Sequence, residues 1–175
     1  KEKQAEVLML LDEEDRKKIL SGMDPEQIGH FIDLLDTDDA VDLIQDLDKE
    51  DRDEVIQHID DMEQAGDIVD LLQYDEDTAG GLMGTEMIEV NENMSMPECI
   101  REMRRQAEDL DDIYYVYVVD DDQRLKGVLP LKKMVTHPSV SKIKHVMEND
   151  PLSVCTDTPI EDVAIDFEKY DLVAM

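Results

Sequence analysis

Asp38, Asp42 and Asp46 recur at intervals of four residues within a stretch rich in Asp. On a helix that spacing sets three carboxylates on one face, where like charges one turn apart cost about 0.2–0.5 kcal/mol per pair. Something should neutralise such a face. Carboxylate oxygens suit a hard divalent cation, and hydrated Mg²⁺, which keeps several waters and takes one or two carboxylates, needs no closed cage of ligands. An ordinary solvated face is the competing account of the same residues. A calcium loop starting at Asp36 is excluded, because it needs Gly at its sixth position and Glu at its twelfth, where Val41 and Leu47 stand.

The whole chain is acidic. Its 175 residues carry 47 Asp and Glu against 17 Lys and Arg, a formal charge of −30. Such a surface repels nucleic acid and anionic lipid and attracts divalent cations or basic protein surfaces. At 41% hydrophobic residues the chain has the material for a core and is not a disordered acidic tail. No apolar run approaches the roughly 20 residues of a membrane-spanning helix, and no signal peptide is evident, so a soluble, cytoplasmic piece is expected. Cys99 and Cys155 stand outside any CxxC context and read as small core hydrophobes.

The elements that position the carboxylates follow a twelve-residue period, marked by Asp12, Asp24, Asp36, Asp48 and Asp60. Each Asp reads as a helix cap, with Asp15, Gln27, Asp39, Asp51 and Glu63 three positions later in capping-box register. Acid in a first turn also faces the positive end of the helix dipole, so part of the charge is structural. Apolar residues follow the first four of these Asp residues at seven, eight and eleven positions, as in Leu43, Ile44 and Leu47, and the pattern fades at the fifth, with Asp67 and Ile68. That is one narrow stripe on a helix of two or three turns, too little to be stable alone. Residues Lys1 to about Leu72 are therefore predicted to form a superhelical stack of short helices.

A different repeat follows. "LMGTEMIEVNENMSMPECIREM" and "VMENDPLSVCTDTPIEDVAIDF" superpose at an offset of 64 residues, each predicting a strand, a polar turn and an amphipathic helix. Between them "IYYVYVVDDDQRLKGVLPL" reads as two strands joined by a hairpin at Asp120 to Lys126, giving the order strand, helix, strand, strand, helix. Apolar helix positions such as Ile100 and Met103 are expected on an exposed face that a partner could cover.

The segments "EDTAGGLM", "YYVYVVDDDQRLKGVLPL" and "VMENDPLSVCTDT" resemble the MgtE family of magnesium channels, and the acidic repeat resembles that family's N-terminal superhelix. The resemblance implies an α+β multidomain protein: an all-α superhelical stack of short helices followed by a CBS (βαββα) pair, the second copy incomplete. The expected domains are 1–78, the N-terminal superhelix; 83–145, the first CBS domain; and 147–175, a truncated second one ending inside a strand at "YDLVAM". It further implies a cytosolic magnesium-sensing region in which Mg²⁺ bridges acidic faces and stabilises the closed state of a channel. The implied partners are the protein's own transmembrane pore domain and a second copy, as a homodimer through the CBS domains. The linker around Tyr74 to Ala79 would be the hinge.

Residue by residue, the resemblance carries magnesium ligands onto Glu6, Asp38, Asp42, Glu161 and Asp171, with Gly81 contributing its carbonyl and Glu168 its backbone. The bland readings are a first-turn acid for Asp38, solvated carboxylates for Glu6 and Glu161, and a turn residue for Gly81. Adenine nucleotide binding, known in some CBS pairs, is disfavoured, because "PLKKM" puts Pro130 and Lys133 where the ribose-binding pattern should be; Lys132 and Lys133 retain some attraction for phosphate. A nucleotide sensor or an acidic adaptor is the alternative reading. Enzymatic activity is not expected: His30, His58, His137 and His145 accompany no recognisable triad or zinc spacing.

Overall fold

A computed structural model describes residues 2–107, 110, 113–137 and 140–175, so Lys1 lies outside the described residues. The chain divides into two compact units, Lys1–Thr85 with Cys155–Ile160, and Glu86–Val154 with Glu161–Met175.

The first unit is built from six short helices: α1 (Glu2–Met9), α2 (Glu13–Leu20), α3 (Pro25–Ile32), α4 (Thr37–Gln45), α5 (Lys49–Ile56) and α6 (Met62–Leu71). Asp12, Asp24, Asp36 and Asp48 hold extended backbone at the N-caps, as the period predicts. Asp12 accepts from the Asp15 N–H at 3.0 Å, and Asp24 forms a full capping box with Gln27 behind Pro25. The fifth cap departs from the period: it is Asp61, not Asp60. Asp33 accepts from the amides of Asp60 and Asp61 at 2.9 and 3.3 Å, holding Asp60 in the loop, and Asp61 takes the first-turn amides of Glu63 and Gln64.

The apolar stripe becomes the core. Leu20, Ile32, Ile44 and Ile68 are buried at the eighth position, and Leu35, Leu47, Ile59 and Leu71 at the eleventh. Val55 takes the inner place in α5 ahead of the half-buried Ile56, while Ile19 is exposed. Burying each such side chain stabilises by about 1.5–3 kcal/mol, which supplies what helices of eight to ten residues lack alone. α1 packs on α3, α3 on α5 and α4 on α6, so helices two apart in sequence are neighbours, as a superhelical stack requires.

The segment expected to be a hinge is tied down instead. Ile160 donates to the Asp77 carbonyl at 3.0 Å, and Ala79 and Gly80 donate to the Thr158 and Thr156 carbonyls, each at 2.8 Å. Residues 155–160 thus belong to the helical unit, and residues 77–80 are no free linker.

The second unit carries a four-stranded sheet in the order β1-β2-β3-β4, with β1 at Ile88–Asn91, β2 at Val116–Val119, β3 at Leu125–Leu129 and β4 at Glu148–Asn149. β1 and β2 run parallel, connected through α7 (Met96–Gln106), and β2 and β3 form the expected antiparallel hairpin. Asp120 organises its turn by accepting from Asp122 and Arg124. Those bonds, Arg124's foremost, hold its carboxyl below the usual range. α8 (Leu131–Thr136) completes the first copy in the predicted order.

The second copy keeps its helix, α9 (Ile160–Tyr170), but not its strand. β4 lies ahead of the predicted position and pairs antiparallel with β3, and residues 152–155 are not in a strand. The backbone turns left-handed at Asp150 (φ 54°), and Pro151 has no N–H for a ladder, so the chain leaves the sheet there. The final residues also hold no strand. Asp171 (φ 53°) turns the backbone after α9, and Leu172 donates to the Phe167 carbonyl at 3.1 Å, a Schellman-type stop rather than an extension. Ile100 and Met103 correct the expectation of an exposed face: they are half-buried against the unit's own core of Ile88, Val90, Val116 and Val118. Exposed apolar residues stand instead on α8, at Leu131 and Val135, and on α9, at Ile165.

Candidate metal centre

The acidic face of α4 forms as its spacing predicts, and the structure shows what neutralises one end of it. Asp46, the C-cap of α4, is paired with Arg16 of α2 through Nε and Oδ2; both side chains are largely buried, 13% and 6% exposed. Lys17 adds a second cation, 3.8 Å from the other carboxylate oxygen. Arg52 also works at this end, donating to the Gln45 and Leu47 carbonyls at 2.7 and 3.0 Å, where a cation complements the negative end of the helix dipole. Among the described residues, the basic side chains that bond to α4 do so at its C-terminus.

Asp38 and Asp42 receive none of that pairing. Both are exposed, and among the described residues no ion pair engages either. Asp38 Oδ1 accepts from the neighbouring Asp39 amide at 2.9 Å. Partial withdrawal from water pushes the Asp42 carboxyl above the ordinary Asp value; Arg16 opposes that rise, while Asp38 and Asp46 add to it. Their spacing of four sets both carboxylates on one face of α4.

The other expected ligands are more scattered. Glu6 is exposed on α1. Gly81 lies in a 3₁₀ turn at Ala79–Leu82, and a Cβ there would meet the Asp75 carbonyl oxygen at 2.5 Å and the Glu76 Cα at 2.8 Å. Its identity therefore has a steric reason whether or not its carbonyl holds an ion. In the second unit Glu161 and Glu168 share one face of α9, but their seven-residue separation is about 10 Å along the axis, beyond the reach of one ion. Asp171 occupies the left-handed position that ends α9. Among the described residues no three of the expected carboxylates converge.

A group with no sequence signal does converge: His30, Asp33 and Asp60 bring ligand atoms within 4.8 Å of one another. Asp60 is 27 residues from Asp33, so only the helix stacking reveals it. The cysteines divide. Cys99 is buried as expected, and burial pushes its thiol up to about 11; Cys155 is exposed, because its segment is bonded backbone-to-backbone along one edge of the helical unit instead of entering a sheet.

The family described as the MgtE intracellular N domain matches residues 1–77, and the CBS domain family matches residues 79–139. The crystal structure of the cytosolic domain of the Mg²⁺ channel MgtE in complex with ATP superposes with a TM-score of 0.89 at 35% identity, covering 98% of this chain and 70% of that one. The chain belongs to the MgtE family. A second crystal structure, of the soluble part of a magnesium transporter, matches with a TM-score of 0.86 at 30% identity, over 98% of this chain and 68% of that one. The magnesium transporter MgtE of Thermus thermophilus is 41% identical over 105 residues, 60% of this chain and 23% of that protein. This MgtE-family chain thus spans about a quarter of the length of the curated relatives it matches, and none of its described helices is long and apolar enough to cross a membrane.

Proposed function

We propose that this chain is the cytosolic magnesium-sensing region of an MgtE-type magnesium channel, and that Mg²⁺ bound between acidic faces of the N-terminal and CBS portions stabilises the closed state. The observation that carries the reading is the state of α4: its cations bond at the C-terminal end, Arg16 and Lys17 to Asp46 and Arg52 to backbone carbonyls, while Asp38 and Asp42 stay exposed, mutually repelling and outside every described ion pair. Glu6, Gly81, Glu161, Glu168 and Asp171 are the further proposed ligands. The region is regulatory, not enzymatic, and its partners are the channel's pore domain and a second copy of itself.

Calorimetry with Mg²⁺, against K⁺ matched in ionic strength, tests the site. Asp38→Asn with Asp42→Asn is expected to weaken Mg²⁺ binding yet to raise stability in EDTA, since the raised Asp42 carboxyl marks a charge the fold holds at a cost. A double variant that is less stable in EDTA and binds Mg²⁺ normally would make these residues structural. Dimerisation is assigned to the CBS portion through the exposed Leu131 and Val135. Val135→Asp should shift sedimentation towards monomer, and a wild-type chain that stays monomeric at high concentration with Mg²⁺ would refute this.

A second reading, adenine nucleotide sensing, is favoured by the ATP complex of the solved relative. In this chain Lys133 is already paired with Glu148 at 3.1 Å. ATP titrated in the same calorimetric series, after Mg²⁺ saturation, separates the two.

A further inference from the structure

The C-terminus of α3 meets the loop between α5 and α6 at unusually close range. Gly29 makes this possible, because a Cβ there would lie 2.6 Å from the His58 carbonyl oxygen. Next to this contact three side chains are drawn together, His30 and Asp33 at the end of α3 and Asp60 from the loop. His30 Nδ1 lies 3.8 Å from Asp33 Oδ2 and 3.8 Å from Asp60 Oδ2. The arrangement is fixed by its surroundings: Asp33 Oδ1 holds the Asp60 and Asp61 amides, and Gln64 of α6 donates to the Ile32 and Leu35 carbonyls at 3.3 and 2.8 Å.

One atom in this corner lacks a partner. Asp33 Oδ2 is buried and makes no hydrogen bond, although a buried carboxylate oxygen left unsatisfied is costly. The imidazole at 3.8 Å is too far to donate to it. The spacing suits a shared ion better: ligands about 2.0–2.2 Å from a tetrahedral metal stand roughly 3.4 Å apart, a few tenths of an ångström less than the two histidine–carboxylate separations, and all three ligand atoms lie within 4.8 Å of one another. His30 and Asp60 are largely exposed, leaving water to complete the coordination.

We propose that His30, Asp33 and Asp60 form a binding site for a borderline first-row divalent ion of the Zn²⁺ type, separate from the all-oxygen face of α4. The ligand chemistry makes the selection. Imidazole nitrogen suits Zn²⁺, Co²⁺ or Ni²⁺, whereas Mg²⁺ prefers oxygen and gives up its waters reluctantly. The bound ion would satisfy the orphaned oxygen and clamp the end of α3 to the α5–α6 loop, so the helical unit would answer to a second metal.

The test is a Zn²⁺ titration of the whole chain in excess Mg²⁺, with Cys155→Ser to remove the exposed competing thiol. One equivalent should bind tightly and raise the melting temperature. Outer partners of metal ligands alone are worth about 10–100-fold in affinity, so His30→Gln should weaken Zn²⁺ binding at least tenfold, with the Mg²⁺ isotherm unchanged. Asp33→Asn, which keeps an oxygen for the loop amides, should do the same. X-ray absorption at the zinc edge should show imidazole nitrogen that His30→Gln removes. Equal Zn²⁺ isotherms for wild type and His30→Gln, or an oxygen-only spectrum in wild type, would overturn the site and leave a histidine–carboxylate cluster without a metal.

Discussion

Replacing Arg16 by Met is expected to destabilise the helical unit by about 2–4 kcal/mol, because it leaves Asp46 charged in a largely buried position. Removing one partner of such a pair costs more than removing both. Arg16→Met combined with Asp46→Leu should therefore recover most of the loss, since two apolar side chains need no hydration. Lys17, at 3.8 Å, offers only partial compensation: it is half exposed and already bound to Glu13. Thermal melts of the two single variants and the double variant give the coupling directly. Independent, additive effects would mean that the pair does not organise the contact of α2 with α4.

The same variant carries a pH signature. Asp42 already binds its proton more tightly in the folded state, chiefly because it is partly withdrawn from water, and Arg16 is what restrains that rise. Without Arg16 its pKa should climb further. A carboxyl with a raised folded-state pKa contributes stability that is fully present below the unfolded value and lost as pH rises through the folded one. The deficit of Arg16→Met should accordingly shrink on acidification from neutral pH towards the raised Asp42 value. A deficit independent of pH would point to lost packing of the Arg16 stem, not lost charge.

What could be read from the sequence was what is decided locally. An Asp every twelve residues followed by a three-point apolar stripe specifies capped short helices, since capping and amphipathicity act within one helix, and the α4 face follows from a spacing of four. Most of the misses depend on a distant partner; the missing final strand does not, because Asp171 turns the backbone locally. Asp61 replaces Asp60 as a cap because Asp33, 28 residues earlier, captures the loop amides. The second-copy strand at 152–155 fails because the chain leaves the sheet at Asp150 and Pro151: β1 has β2 beside it, whereas the chain beyond 155 bonds, at residues 156 and 158, to the turn at 79–80. Ile100 and Met103 looked available only while the sheet beneath them was unseen. Pairing of Asp46 by Arg16 and the meeting of His30 with Asp60 were invisible for the same reason.

Mg²⁺ itself should produce the other large effect, because an acidic face whose cations are committed elsewhere is held against repulsion until an ion arrives. For a site with a dissociation constant near 1 mM, about 20 mM Mg²⁺ stabilises the folded chain by roughly 1.8 kcal/mol, and several sites would add to that. Screening alone imitates part of this in a chain of charge −30, so K⁺ matched in ionic strength is the control that matters. A bridging ion should raise the melting temperature beyond the K⁺ value and reduce the radius of gyration in solution scattering. Because residues 77–80 are tied to residues 156–160, the compaction cannot come from a swing about Tyr74 to Ala79. Cross-linking Ala79 to Thr158 through engineered cysteines should therefore leave the Mg²⁺-driven compaction intact. If that cross-link abolishes it, the bonds along residues 77–80 must open during the response. Identical scattering in EDTA, K⁺ and Mg²⁺ would remove the magnesium switch from this region altogether.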